Sequence, residues 1–131
     1  MCQVHDPQVT KELRKRLKKR GWITAWKSLV SSPAELLSSF RAFTWTPGLN
    51  RSSRGRCRLS EVESKYVKHG FHVFLSRTEA ASFAKTMGAT VVPLKCRLED
   101  FVSAGWGAFG RHTAVFRNAW LSQSAYRKAM A

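Results

Sequence analysis

Acidic residues are scarce in this sequence. Eight Asp and Glu stand against 23 Lys and Arg in 131 residues, leaving a net charge of +15 and a pI near 10.8. Self-repulsion on that scale weakens a compact chain, so the charge is expected to answer a negative partner. Solubility alone asks for a net charge of only about 2–8 on a small domain. Cysteine is also sparse. Cys2, Cys57 and Cys96 are an odd count without paired spacing, which argues against a disulfide framework and for reduced thiols in a cytoplasmic setting. No stretch approaches the ~18 uninterrupted apolar residues of a membrane span. The N-terminus is polar and then charged, unlike a secretory signal, and no membrane partner is expected.

What is present is enough to build a core. Hydrophobic residues make up 44% of the chain, with five Trp and eight Phe, and the length suits one basic domain spanning residues 1–131. The excess charge is spread along the chain: +6 over residues 1–30, +4 over 31–70 and +5 over 71–131. A basic membrane-surface protein would concentrate it on one amphipathic helix. The spread favours nucleic acid or a nucleoprotein complex as partner.

The local pattern alternates short strands and helices. Asp6-Pro7 and Gly21 bracket a basic N-terminal helix over residues 6–20, with Val9, Leu13 and Leu17 as a narrow apolar stripe. Residues 22–30 alternate as a strand. Ser32-Pro33-Ala34-Glu35 reads as the start of a short helix to residue 39, and a strand over 40–45 follows. Residues 49–58 hold Arg51, Arg54, Arg56 and Arg58 among Ser and Gly, and are expected to form a mobile Arg-rich loop. A helix is allowed over 60–69. Residues 70–75 form the clearest strand, followed by a helix capped by Ser76 and stopped at Gly88. A strand over 90–98, with Pro93 pushing it to an edge or bulge, leads to a helical turn over 99–104. A last strand over 113–121 and a helix over 125–129, capped by Ser122, close the chain. The fold expected is α+β: about five mostly antiparallel or mixed strands and four to five short helices in a single compact domain.

No complete catalytic motif emerges. Cys57, His69, His72 and Cys96 are metal-ligating types, but their spacing matches no paired pattern, and no metal or other cofactor is expected. His72, His112 and a carboxylate such as Glu61, Glu79, Glu99 or Asp100 offer acid–base chemistry only if the fold joins them. The run Gly105-Trp106-Gly107-Ala108-Phe109-Gly110 lacks the ending of a phosphate loop. With Arg111 it is instead a candidate stacking platform for unpaired bases. The remaining Trp and Phe, Trp26, Trp45, Phe74 and Trp120 among them, have core-like spacing. The candidate nucleic-acid contacts are Lys11, Arg14, Lys15, Lys18, Lys19, Arg51, Arg54, Arg56, Arg58, Trp106 and Arg111.

Two resemblances add to this reading. The pieces Trp45-Thr46-Pro47-Gly48-Leu49-Asn50, Gly70-Phe71-His72-Val73-Phe74, Val91-Val92-Pro93 and Ala114-Val115-Phe116-Arg117 make residues 26–129 look like small uncharacterised proteins of bacteriophages and prophages. That resemblance implies a source and carries no activity with it; for a phage-encoded binder, action on a host machinery or defence complex is expected. Residues 70–76 followed by Ala80-Ala81-Ser82-Phe83-Ala84 are similar to a piece of ADP-ribosyltransferases, in which a Gly-initiated strand and an aromatic flank nicotinamide. The resemblance gives Phe83 the aromatic position and Lys27 the early-strand place of an Arg or His. Residues 113–121, however, lack the late-strand Glu that polarises the ribose hydroxyl. The function expected is therefore a non-enzymatic nucleic-acid-binding or nucleoprotein-binding protein. The alternatives are an inhibitor docking on an acidic protein surface and an ADP-ribosyltransferase-like enzyme or degenerate relative.

Overall fold

Asp6 accepts hydrogen bonds from the backbone N–H groups of Gln8 and Val9, at 2.9 and 3.1 Å, and Pro7 occupies the first helical turn. Helix α1 therefore spans Pro7–Arg20, and Gly21, at φ +86°, ends it by donating to the Leu17 carbonyl. The computed structural model describes residues 3–38, 43–52, 66–67, 70–107 and 112–131.

Most of the rest is sheet, and this overturns the expected five strands with four to five helices. Among the described residues eleven strands join one antiparallel sheet, accompanied by three α-helices. The strands are β1 (Gln3–His5), β2 (Trp22–Ser31), β3 (Leu36–Ser38), β4 (Thr44–Trp45), β5 (Gly48–Arg51), β6 (Tyr66–Val67), β7 (Phe71–Phe74), β8 (Thr90–Arg97), β9 (Phe101–Trp106), β10 (His112–Phe116) and β11 (Asn118–Leu121). Helices α2 (Arg77–Met87) and α3 (Gln123–Met130) complete the set. The strand order is β5-β11-β8-β2-β7-β10-β9-β1-β6, with β3 on β2 and β4 on β3.

Each departure from expectation has a pairing reason. The Ser32 start makes a tight turn, its hydroxyl accepting from the Glu35 N–H at 3.1 Å, because residues 36–38 pair back onto β2. Residues 99–104 hold only a 3-10 turn, Leu98–Asp100, before β9, whose Phe101 to Gly105 are all buried against β10 and α1. The expected last strand is two strands. At Arg117 the chain leaves the β9 side of the sheet and crosses to pair with β5 and β8. Pro93 sits in an interior strand rather than at an edge. The β11 pairing with β8 is confined to Trp120 and Lys95, so Pro93 meets a ladder partner only in β2. The expected mobile loop begins with a paired strand, β5, and its residues 53–58 lie outside the described residues, as do 39–42 and 60–65.

The sheet has two differently covered faces. Ala25 and Leu29 of β2, Val92, Leu94 and Cys96 of β8, Phe71 and Val73 of β7 and Ala114 and Phe116 of β10 point to one side, where Leu13 and Leu17 of α1 and Ala129 of α3 close the main core. On the other side α2 packs Ala80 and Phe83 against Phe74, Trp26 and Val91. Among the described residues no helix is long and apolar enough to cross a membrane.

Candidate nucleic-acid interface

Helix α1 is held by one residue more than its apolar stripe. Thr10 is buried, and its hydroxyl both donates to the Ala104 carbonyl at 2.9 Å and accepts from the Ala104 N–H at 3.0 Å. With Leu13 and Leu17 also turned inward, the opposite face is forced outward. Lys11, Arg14, Lys15 and Lys18 recur at i, i+3, i+4 and i+7, so they share a side of the helix. Together with His5, Pro7 and Thr10 they line one open depression of about 310 Å³.

The Arg14 guanidinium lies 5.3 Å from the Phe101 ring centroid, which fixes one cation of the four. Among the described residues, no α1 cation lies within ion-pair distance of a carboxylate. The depression is therefore lined by four cations without an ion-pair partner among the described residues, an arrangement that raises local counter-ion concentration. At its floor the His5 ring nitrogen Nδ1 lies 2.7 Å from the Ser103 hydroxyl, and Ser103 is fully buried.

The structure gathers four expected contacts here, Lys11, Arg14, Lys15 and Lys18, while Lys19 is exposed in the last turn of α1. Arg51 is exposed at the end of β5, and Arg54, Arg56, Arg58 and Arg111 lie outside the described residues. Trp106 is 37% exposed and does not line this depression. Its ring stacks on His112 with centroids 4.3 Å apart, and its indole N–H donates to Asp6 Oδ2 at 3.3 Å. Together with the two backbone N–H donors, that bond holds the Asp6 carboxyl below the usual range. His112 in turn sits 3.5 Å from Glu79, so Trp106 and His112 link the start of α1, β10 and α2 at the surface, while residues 108–111 of the expected stacking platform lie outside the described residues.

The sequence reading missed an open patch of the sheet. On β8, Lys95 and Arg97 point away from the core that Leu94 and Cys96 enter. Trp120 of β11 faces the same way and is 41% exposed, correcting its assignment to the core. Trp22 of β2 joins them, clasped by Arg20 at 3.8 Å and Lys95 at 4.7 Å from its centroid. The signal was present in the alternation Leu94-Lys95-Cys96-Arg97, but the strand neighbours that turn it into a patch come from distant segments.

The other candidates disperse. Cys96 and His72 face opposite sides of the sheet, Cys57 and His69 lie outside the described residues, and among the described residues no three metal-ligating groups converge. Burial pushes the Cys96 thiol up to about 12. Phe83 is 7% exposed, 5.3 Å from Phe74, as a core residue.

Lys27 occupies a fork in the sheet. β2 pairs with β7 at Trp26 and with β3 from Leu29 onward, so Lys27 and Ser28 lie where those neighbours diverge. Lys27 Nζ spans the gap by donating to the His72 carbonyl at 2.7 Å. Comparison with known proteins adds no relative: no family model, curated protein or solved structure matches the chain.

Proposed function

We propose that this protein binds nucleic acid, alone or within a nucleoprotein complex, and acts by occupancy rather than by chemistry of its own. The observation that supports this reading is the α1 depression, where Lys11, Arg14, Lys15 and Lys18 line one open surface without a carboxylate partner among the described residues. Four cations at helical spacing span about 10 Å of axis at 1.5 Å per residue, a length that meets several backbone phosphates.

Binding is expected to weaken linearly in log K against log salt, with a slope set by the phosphates neutralised. Replacing Lys11, Arg14, Lys15 and Lys18 by Gln should reduce the magnitude of that slope by roughly three to four units. The melting temperature should move little, because solvated charges contribute little to stability and Gln suits a helix. Fluorescence anisotropy on labelled oligonucleotides across a salt series measures the slope. An unchanged slope in the fourfold variant would move the contact surface away from α1. Absence of binding to any nucleic acid at low salt would end the proposal.

A further inference from the structure

We infer that the sheet face formed by β5, β11, β8 and the start of β2, which no helix covers among the described residues, is a stacking platform for an unpaired nucleic-acid strand. Trp22 and Trp120 receive bases there, and Arg20, Lys95 and Arg97 receive phosphates. The inference rests on the nucleic-acid reading above and names the form of nucleic acid that is bound.

The register assembles the patch. Trp120 pairs with Leu49 on one side and Lys95 on the other, and Lys95 pairs with Thr24, so Leu49, Trp120, Lys95 and Thr24 form one cross-strand row. One pleat along, Arg97 pairs with Trp22. Cations and indoles thus alternate diagonally, with the Arg97 guanidinium 5.8 Å from the Trp120 centroid and Lys95 and Arg20 over Trp22. Helix α2 packs on this face through Trp26, Val91 and Phe74, at the other end of β2 and β8, and among the described residues Arg97 and Trp120 stay exposed while Trp22 and Lys95 are half-buried. Trp120 and Leu49 are each 41% exposed. Among the described residues Glu99 lies 3.6 Å from Arg97, in an exposed pair that contributes little.

Shape selects the strand type. The major groove of a duplex admits a helix or a two-stranded ribbon, whereas four adjacent strands at about 4.8 Å spacing present a surface too broad to enter it. A duplex also hides the faces of its bases within its own stack, so the indoles would have nothing to cover. Trp22 and Trp120 lie two strands and two residues apart, about 12 Å, and an unpaired strand can lay bases on both while its phosphates meet the cations between them. The patch is continuous with α1: Arg20 is its last residue and Gly21 turns the chain directly into Trp22.

Anisotropy titrations of the full chain at fixed salt test this, with labelled single-stranded RNA, single-stranded DNA, the corresponding duplex, inorganic polyphosphate and poly-glutamate. The wild type should bind a single strand more tightly than the duplex of equal length. Trp120→Leu should weaken single-strand binding about tenfold and the Trp22→Leu/Trp120→Leu pair up to a hundredfold, leaving polyphosphate binding unchanged. Retention of the Trp120→Leu melting temperature guards against a folding effect, since that ring is at the surface. A preference between the two single strands names the sugar and supports the platform. Duplex binding as tight as single-strand binding, or a Trp120→Leu variant that binds normally, overturns the platform while leaving the α1 reading intact. Poly-glutamate binding that needs the same two Trp residues overturns it in favour of an acidic protein partner. Polyphosphate binding without any nucleic-acid binding removes the parent reading as well.

Discussion

Gly105→Ala is expected to lose about 3 kcal/mol or more of folding stability, a large part of what a domain of this size possesses. A Cβ at Gly105 would fall on the carbonyl oxygen of Val4 and lie 2.9 Å from the backbone nitrogen of Asp6. Both obstacles are main chain, so no side-chain rotation relieves the overlap. Relief requires β1 to lift from β9, where Val4 pairs with Trp106 and His5 with Gly105. That movement also breaks the bond from the Asp6 N–H to the Ala104 carbonyl, at 3.1 Å, and disturbs the cap of α1.

Gly88→Ala is the contrasting variant. Gly88 has a φ of +61° but open space around its Cβ position, so Ala there carries only left-handed strain of about 1–2 kcal/mol. Chemical denaturation of both variants distinguishes the two costs. Equal losses would show that β1 yields easily and that the β1–β9 approach is not tight. If Gly105→Ala folds at reduced temperature, it should also bind polyanions more weakly, because the cap and Thr10 hold the depression to the sheet.

The second large effect is a pH dependence centred on Lys27. Lys27 is half-buried at the fork, and desolvation by burial lowers its pKa from about 10.5 to about 8. Between those values the unfolded chain carries a proton that the folded chain has lost, so stability rises with pH across the window. Cys96 works in the opposite sense. Its thiol holds a proton in the fold up to about pH 12 but loses it near 9 when unfolded, so its contribution falls as pH rises above 9.

Comparison with Lys27→Met separates the two, because Cys96 is common to both chains. From pH 7 to pH 10 the wild type should gain roughly 2–3 kcal/mol relative to Lys27→Met, at about 1.4 kcal/mol per unit. Urea denaturation at the two pH values gives the double difference. A flat difference would mean that the ammonium is solvated and that the fork between β7 and β3 is open to water. Lys27→Met also removes the 2.7 Å bond that Lys27 donates to the His72 carbonyl, which limits any gain in stability at neutral pH.

The elements legible in the sequence are those whose signals are local. Asp6-Pro7 and Gly21 bracket α1, and Ser76 and Gly88 bracket α2, because a cap is satisfied by backbone groups within four residues. The charge on α1 was legible for the same reason, since side chains three and four apart share a helix face whatever surrounds them. Ser32-Pro33-Ala34-Glu35 carried an equally good local signal and was overruled. A helix of about two turns gains little on its own, while β3 gains ladder bonds to β2 and buries Leu36 completely.

Strand identity depended on partners that only the folded chain supplies. The apolar stretch from Phe101 to Gly105 reads as well for a helix as for a strand, and its burial between α1 and β10 decided for the strand. The alternation of β8 showed that Lys95 and Arg97 share a face, and composition showed a net charge of +15. Period two says that a strand has two faces but not which one meets water. That choice was made by α1 and α3 covering the side with Leu94 and Cys96, and by α2 stopping short of Trp22 and Trp120. The excess of basic residues was thus written in the sequence, and the place on the sheet where Lys95 and Arg97 meet Trp22 and Trp120 was decided by packing between segments distant in the chain.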